Sequence, residues 1–180
     1  ISVGARSRGC GWSAGSFRWA QSPGDFAILP DVLLEASASG DGYMVNGVGA
    51  PSVAYDTIRA RYLMVFEVRL PDSDPDCPVG RWGLGLAVSD DGITWTPGDS
   101  PLLEPREGSY YSCVAAHPTV YYGASADQIV VLFKAEQGDD ACDAGAPAWG
   151  CSQYTGVGRI RAKFTAGGGV SRVYHTSSPV

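Results

Sequence analysis

Two apolar runs dominate the hydrophobic pattern, Tyr62-Leu63-Met64-Val65-Phe66 and Ile129-Val130-Val131-Leu132-Phe133. Each is short, rich in β-branched and aromatic residues, and bounded by turn-forming residues. That is the pattern of a strand buried on both faces. Shorter runs around them predict two sets of four strands. In the first, strand A covers 48–55, B 61–69, C 82–89 and D 93–103. In the second, A covers 114–122, B 128–135, C 156–164 and D 170–180. Asp90-Asp91-Gly92 marks a hairpin between the first C and D, because Asp-Gly supplies the positive φ that tight hairpins need. Gly167-Gly168-Gly169 takes the same place in the second set. No stretch has helical periodicity, and Pro and Gly interrupt the chain too often for long helices. The predicted class is all-β.

The two sets are copies. Ala50-Pro51-Ser52-Val53-Ala54-Tyr55 aligns with His117-Pro118-Thr119-Val120-Tyr121-Tyr122 at an offset of 118 − 51 = 67. The same offset places Phe66 on Phe133 and Tyr43 on Tyr110. Gly83-Leu84-Gly85-Leu86-Ala87 resembles Gly156-Val157-Gly158-Arg159-Ile160. A third trace lies at the ends: Trp95 before Ser100-Pro101-Leu102-Leu103 corresponds to Trp19 before Asp31-Val32-Leu33-Leu34, and to Tyr174 before Ser178-Pro179-Val180. Repeated four-stranded units are expected as propeller blades; a sandwich needs no repeat. The predicted division is the end of a preceding blade at 1–40, one blade at 41–104 and another at 105–180, a partial ring.

Composition changes little in this picture. The chain has 180 residues, 44% hydrophobic and 18% charged, which is ordinary for a globular domain. A net charge of −6 argues against nucleic acid as a partner, since that needs a basic face. No apolar run approaches the ~20 residues of a membrane helix. Ile1 is an unusual first residue, so removal of a leader or upstream region is expected. Five cysteines, at 10, 77, 113, 142 and 151, contain no C-x-x-C pair, which speaks against zinc. Cys142 and Cys151 flank a Gly- and Pro-rich loop and are expected to form a disulfide; Cys77 with Cys113 is the second expected pair. Cys10 is left free or paired elsewhere, the alternative being buried free thiols. Disulfides imply an extracellular or periplasmic setting.

Ser89-Asp90-Asp91-Gly92-Ile93-Thr94-Trp95, with Ala50-Pro51-Ser52-Val53 and Ser100-Pro101-Leu102-Leu103, resembles the repeat of five-bladed propellers related to arabinanases, fructosidases and mannoside phosphorylases. Six-bladed sialidases are the second resemblance; their Asp-box is one residue longer. A five-bladed ring implies about 300 residues at ~65 per blade, so the remaining blades are expected from a longer chain or from self-assembly. The resemblance also implies a central channel lined by strand A. Its mouth would be formed by loops 36–47, 70–81, 104–113 and 135–155.

Glycoside hydrolysis needs two carboxylates flanking the scissile bond. In the resembling enzymes an acid commonly precedes the Pro of strand A, where this chain has Ala50 and His117. The remaining catalytic candidates are Asp41, Glu67, Glu136 and His117. Tyr43, Tyr110 and Tyr111 are candidates to stack on a sugar ring. Asp72, Asp74 and Asp76 alternate along one loop as oxygen ligands that would suit calcium, although the Gly and distal Glu of an EF-hand loop are missing. The bland reading of that loop is solvated charge. No other cofactor is expected. Two functions follow: a secreted, glycosidase-like propeller that binds or processes a glycan, or a non-catalytic structural or adhesive propeller.

Overall fold

The computed structural model describes residues 2–8, 11–18, 27–36, 42–71, 74, 76–77, 80–122, 127–138, 154–165 and 169–175. Among them there is no helix. Cys10, Asp41, Asp72, Cys142, Cys151 and the first two glycines of 167–169 lie outside the described residues.

β1 (Ser2–Arg8), β2 (Gly11–Arg18) and β3 (Ala27–Leu34) form one antiparallel sheet. A first meander follows, made of β4 (Val48–Asp56), β5 (Arg61–Arg69), β6 (Trp82–Ser89) and the short β7 (Thr96–Pro97). A second repeats it with β8 (Val114–Tyr122), β9 (Gln128–Gln137), β10 (Tyr154–Phe164) and β11 (Val170–His175). A single parallel pairing, Trp82 with Val114, joins the two units.

Strands A, B and C of each unit match the sequence expectation closely. The first D strand does not. It pairs through Thr96 and Pro97, leaves the sheet, and returns where Leu103 bridges Leu84. Pro97 and Pro101 lack the N–H that a continuous ladder requires. The connection before it is also no two-residue hairpin but a six-residue turn, 90–95, with Gly92 at φ 72°. Its organiser is Asp91. That carboxylate accepts the N–H groups of Ile93 and Thr94, both at 2.7 Å, and the hydroxyls of Ser89 and Thr94. These bonds, the two backbone ones first, hold its pKa down at about 2.

Alternation along β5 explains why its run looks uniformly apolar. Leu63 and Val65 pack with Ile129, Val131, Phe133 and Ile160 between the two units. Met64, Phe66 and Val68 pack on the other face with Leu34, Ala87 and Trp95. Each such burial contributes about 1.5–3 kcal/mol. Two glycines are required by this packing. Phe66 lies across from Gly85, and Phe133 across from Gly158. A Cβ on either glycine would sit 2.3 Å from the ring of its Phe. The repeat of Gly-x-Gly in strand C is therefore a repeat of one aromatic-on-glycine contact.

At the far end of the β4–β5 hairpin, fully buried Asp56 accepts the N–H groups of Ile58 and Arg59 and the Arg59 guanidinium, each at 3.1 Å. Arg61 stands 3.8 Å away, and both arginines lie over the Phe164 ring. Burial works against the Asp56 charge, but the bonds from Arg59 and Ile58 outweigh it and keep the carboxyl below its usual range. Tyr122 faces this carboxylate, and burial followed by that negative charge pushes its phenol upward.

Candidate functional site

The inner strands break register at the same place. β4 shifts against β5 between Gly49 and Ser52, and β8 against β9 between Ala116 and Thr119. Each shift is a bulge around an X-Pro pair, which accommodates the missing proline donor. The residue before each proline adopts a left-handed backbone, Ala50 at φ 38° and His117 at φ 48°. Non-glycine residues rarely do so, and such strain concentrates at functional positions. At His117 the bulge turns the side chain outward, 66% exposed.

The bulge also frees an N–H, and Glu67 takes it. Glu67 Oε2 accepts the His117 backbone N–H at 3.1 Å, across fifty residues of sequence. Parity explains the reach, since Glu67 shares the face of Leu63 and Val65 that looks toward the second unit. Its other oxygen lies over Gly49, where a Cβ would come within 3.1 Å. The imidazole Nδ1 of His117 stands 3.8 Å from Glu67 Oε2, beyond hydrogen-bond length, so it adds attraction only when protonated. Two residues apart on one face of β9, Lys134 and Glu136 form an ion pair. Together with Trp82, Val114 and Ala116, these four side chains line a cleft of about 230 Å³.

Three of the four catalytic candidates thus meet in one cleft, Glu67, His117 and Glu136. Asp41 lies outside the described residues. Neither carboxylate is idle: Glu67 holds a backbone amide and Glu136 holds Lys134. The arrangement gathers donors, acceptors and the Trp82 side chain around the cleft. Lys134 and Trp82 escaped the sequence reading. The offset of 67 does place Lys134 on Glu67, and that signal was available.

The tyrosines are elsewhere. Tyr111 is 2% exposed, with its ring edge-on to Phe133 at 5.7 Å, so it offers no face to a sugar. Tyr110 stands edge-on to Tyr111 at 5.0 Å and packs on the same core. Tyr43 packs against the cluster of Met64, Phe66 and Trp95, and its buried hydroxyl has no hydrogen-bond partner among the described residues. Burial, then the charge of Asp99, raises its pKa to about 12. In the acidic loop, Asp74 accepts the N–H of Asp76 at 3.0 Å. Among the described residues no three His, Cys, Asp or Glu side chains gather as metal ligands.

Cys77 and Cys113 are disulfide-bonded, with Cα atoms 5.3 Å apart. The bond ties the loop after β5 to the loop before β8, both beside the cleft. Backbone bonds lock the same corner: Trp82 N–H donates to Cys113 O at 2.9 Å, and Cys113 N–H to Glu136 O at 3.1 Å.

Comparison with solved structures identifies this architecture. A thermostable family-43 glycoside hydrolase matches with a TM-score of 0.60 at 17% identity, over 94% of this chain and 49% of its own. The alpha-L-arabinofuranosidase from Lactobacillus brevis matches with a TM-score of 0.57 at 10% identity, over 93% of this chain and 50% of its own. The chain shares the fold of the five-bladed propeller glycoside hydrolases. A third propeller comes from the GH130 family of mannoside phosphorylases, which contains glycoside hydrolases that target beta-1,2 mannosidic linkages in Candida mannan. It matches with a TM-score of 0.50 at 12% identity, over 83% of this chain and 38% of its own. The chain spans half or less of the length of these propellers. No protein-family model and no curated protein matches it.

Proposed function

We propose that this chain is part of a secreted propeller that binds a glycan or oligosaccharide at the mouth of its inner strands, as a glycosidase-like protein. Residues 41–104 and 105–180 are two of its blades, and 1–40 closes a preceding one. The observation that carries this reading is the cleft where Glu67, His117, Lys134 and Glu136 meet beside the two strained bulges. The propeller glycoside-hydrolase fold supports a carbohydrate ligand. The Cys77–Cys113 disulfide supports an oxidising compartment and hence secretion.

Ala50 and His117 stand where the resembling enzymes commonly carry an acid, and both carboxylates of the cleft are engaged. These features favour glycan binding without turnover by this half of the ring. They equally underlie the second reading, a non-catalytic structural or adhesive propeller. A glycan array separates the two. The binding reading expects at least one arabino-, fructo- or manno-oligosaccharide to bind, with His117→Ala weakening it about tenfold and leaving the melting temperature unchanged. No binding across the array, and no turnover of arabinan, fructan or mannoside, would leave the structural module.

A further inference from the structure

Charge in the cleft of Glu67, His117, Lys134 and Glu136 is sorted by depth. Its two carboxylates are the sheltered groups: the Glu67 side chain is 15% exposed and that of Glu136 14%. Its basic groups stand at the edge, Lys134 at 42% and His117 at 66%. Lys134 is paired with Glu136. Glu67 accepts a backbone N–H. Among the described residues its ionisable partner is the His117 Nδ1 at 3.8 Å, which offsets the carboxylate charge only when protonated. Two carboxylates against one lysine leave a net −1 with neutral His117 and zero with the imidazolium. The other lining residues, Trp82, Val114 and Ala116, carry no charge.

We propose that this cleft takes a single non-acidic sugar residue and that Glu67 is the residue that turns acidic sugars away; the inference rests on the glycan-binding reading above. At about 230 Å³ the cleft is smaller than the ~300–1,000 Å³ of drug-sized sites, so it holds one ring rather than a run of them. An ionised carboxylate only accepts hydrogen bonds, and each of its oxygens has two lone pairs. The His117 amide fills one such position on Glu67 Oε2 and leaves others for hydroxyl donors. A sugar hydroxyl can donate there. The carboxylate of a uronic acid brings no proton at neutral pH and sets a like charge against a sheltered one, where solvent and salt screen it least. Lys134 does not reverse this balance. Its charge is matched by Glu136 and is more exposed than either carboxylate.

Matched oligosaccharides test the proposal: gluco-, galacto- and manno-oligosaccharides, each beside its uronate, titrated by calorimetry into the 180-residue chain at neutral pH and low ionic strength. In every pair that binds, the neutral member should bind more than about tenfold more tightly. Glu67→Gln should narrow that gap by about threefold or more, through stronger uronate binding. If Glu67→Gln does not fold, Glu136→Gln carries the same expectation, since it removes the other sheltered charge. A uronate that binds as well as its neutral partner would overturn the selectivity and leave glycan binding standing. A gap unchanged in the folded variant would remove the carboxylate from the selectivity. Failure of every sugar, neutral and acidic, would overturn the glycan reading itself and this inference with it.

Discussion

The first and second blades carry the same scaffold and different chemistry. Both seat a phenylalanine on a glycine across strands B and C, and both bulge at an X-Pro pair with a left-handed residue before it. They diverge where Glu67 is replaced by Lys134, and where the Asp91 turn and Trp95 give way to glycines and, in strand register, to Val173. The cleft of Glu67, His117, Lys134 and Glu136 sits at the first of these divergences. What repeats in this chain builds the blade, and what fails to repeat opens a site.

The largest expected effect tests the shared scaffold. Phe133→Ala removes a side chain buried between the blades and should cost about 3–5 kcal/mol in urea unfolding, with Phe66→Ala similar. A cost below about 1 kcal/mol for either would break the equivalence of the two contacts. Next comes the disulfide. It closes a span of 36 residues, for which chain entropy gives up to roughly 4 kcal/mol. Replacing Cys77 and Cys113 together with Ala should therefore cost about 2–4 kcal/mol, and no loss would mean the corner is held by its backbone bonds alone.

Glu67 sharpens the comparison further. Glu67→Ala leaves the His117 amide to solvent and should cost about 0.5–1.5 kcal/mol, whereas Glu67→Gln keeps an acceptor and should cost less than half as much. Equal losses would point to charge rather than the amide bond. The smallest effect belongs to the turn that the second blade lacks. The Asp91 pKa is depressed to about 2 in the folded chain, so the stability it contributes is complete above the ordinary aspartate pKa and is lost as pH falls through about 2. The difference in melting temperature between wild type and Asp91→Asn should therefore shrink from pH 4 to pH 2. A constant difference would remove the carboxylate from the turn's energetics.

Much of this architecture was legible in the residues. Apolar runs bounded by turn formers located β5 and β9, and the offset of 67 aligned the two X-Pro pairs at which the structure then shows bulges, because packing and proline act locally. The fourth strand was misjudged, since Pro97 and Pro101 break a ladder that the apolar pattern alone suggests. Tyr111 was a candidate sugar platform for its flat ring, with core packing as the alternative; its loop folds back and buries the ring on Phe133. Glu67 was recognisable as a candidate, but its partner is a backbone amide freed by a bulge in the next blade. No spacing rule encodes that contact, because tertiary packing alone brings the two together.

The coupling of one blade's carboxylate to the next blade's bulge is most directly read by amide hydrogen exchange at His117. Protection in the wild type, lost at His117 but kept at Thr119 and Tyr121, which pair with β9, in Glu67→Ala, is the expected result. Fast exchange of the His117 amide in the wild type, or equal protection with and without Glu67, would contradict the bridge on which the cleft of Glu67 and His117 rests.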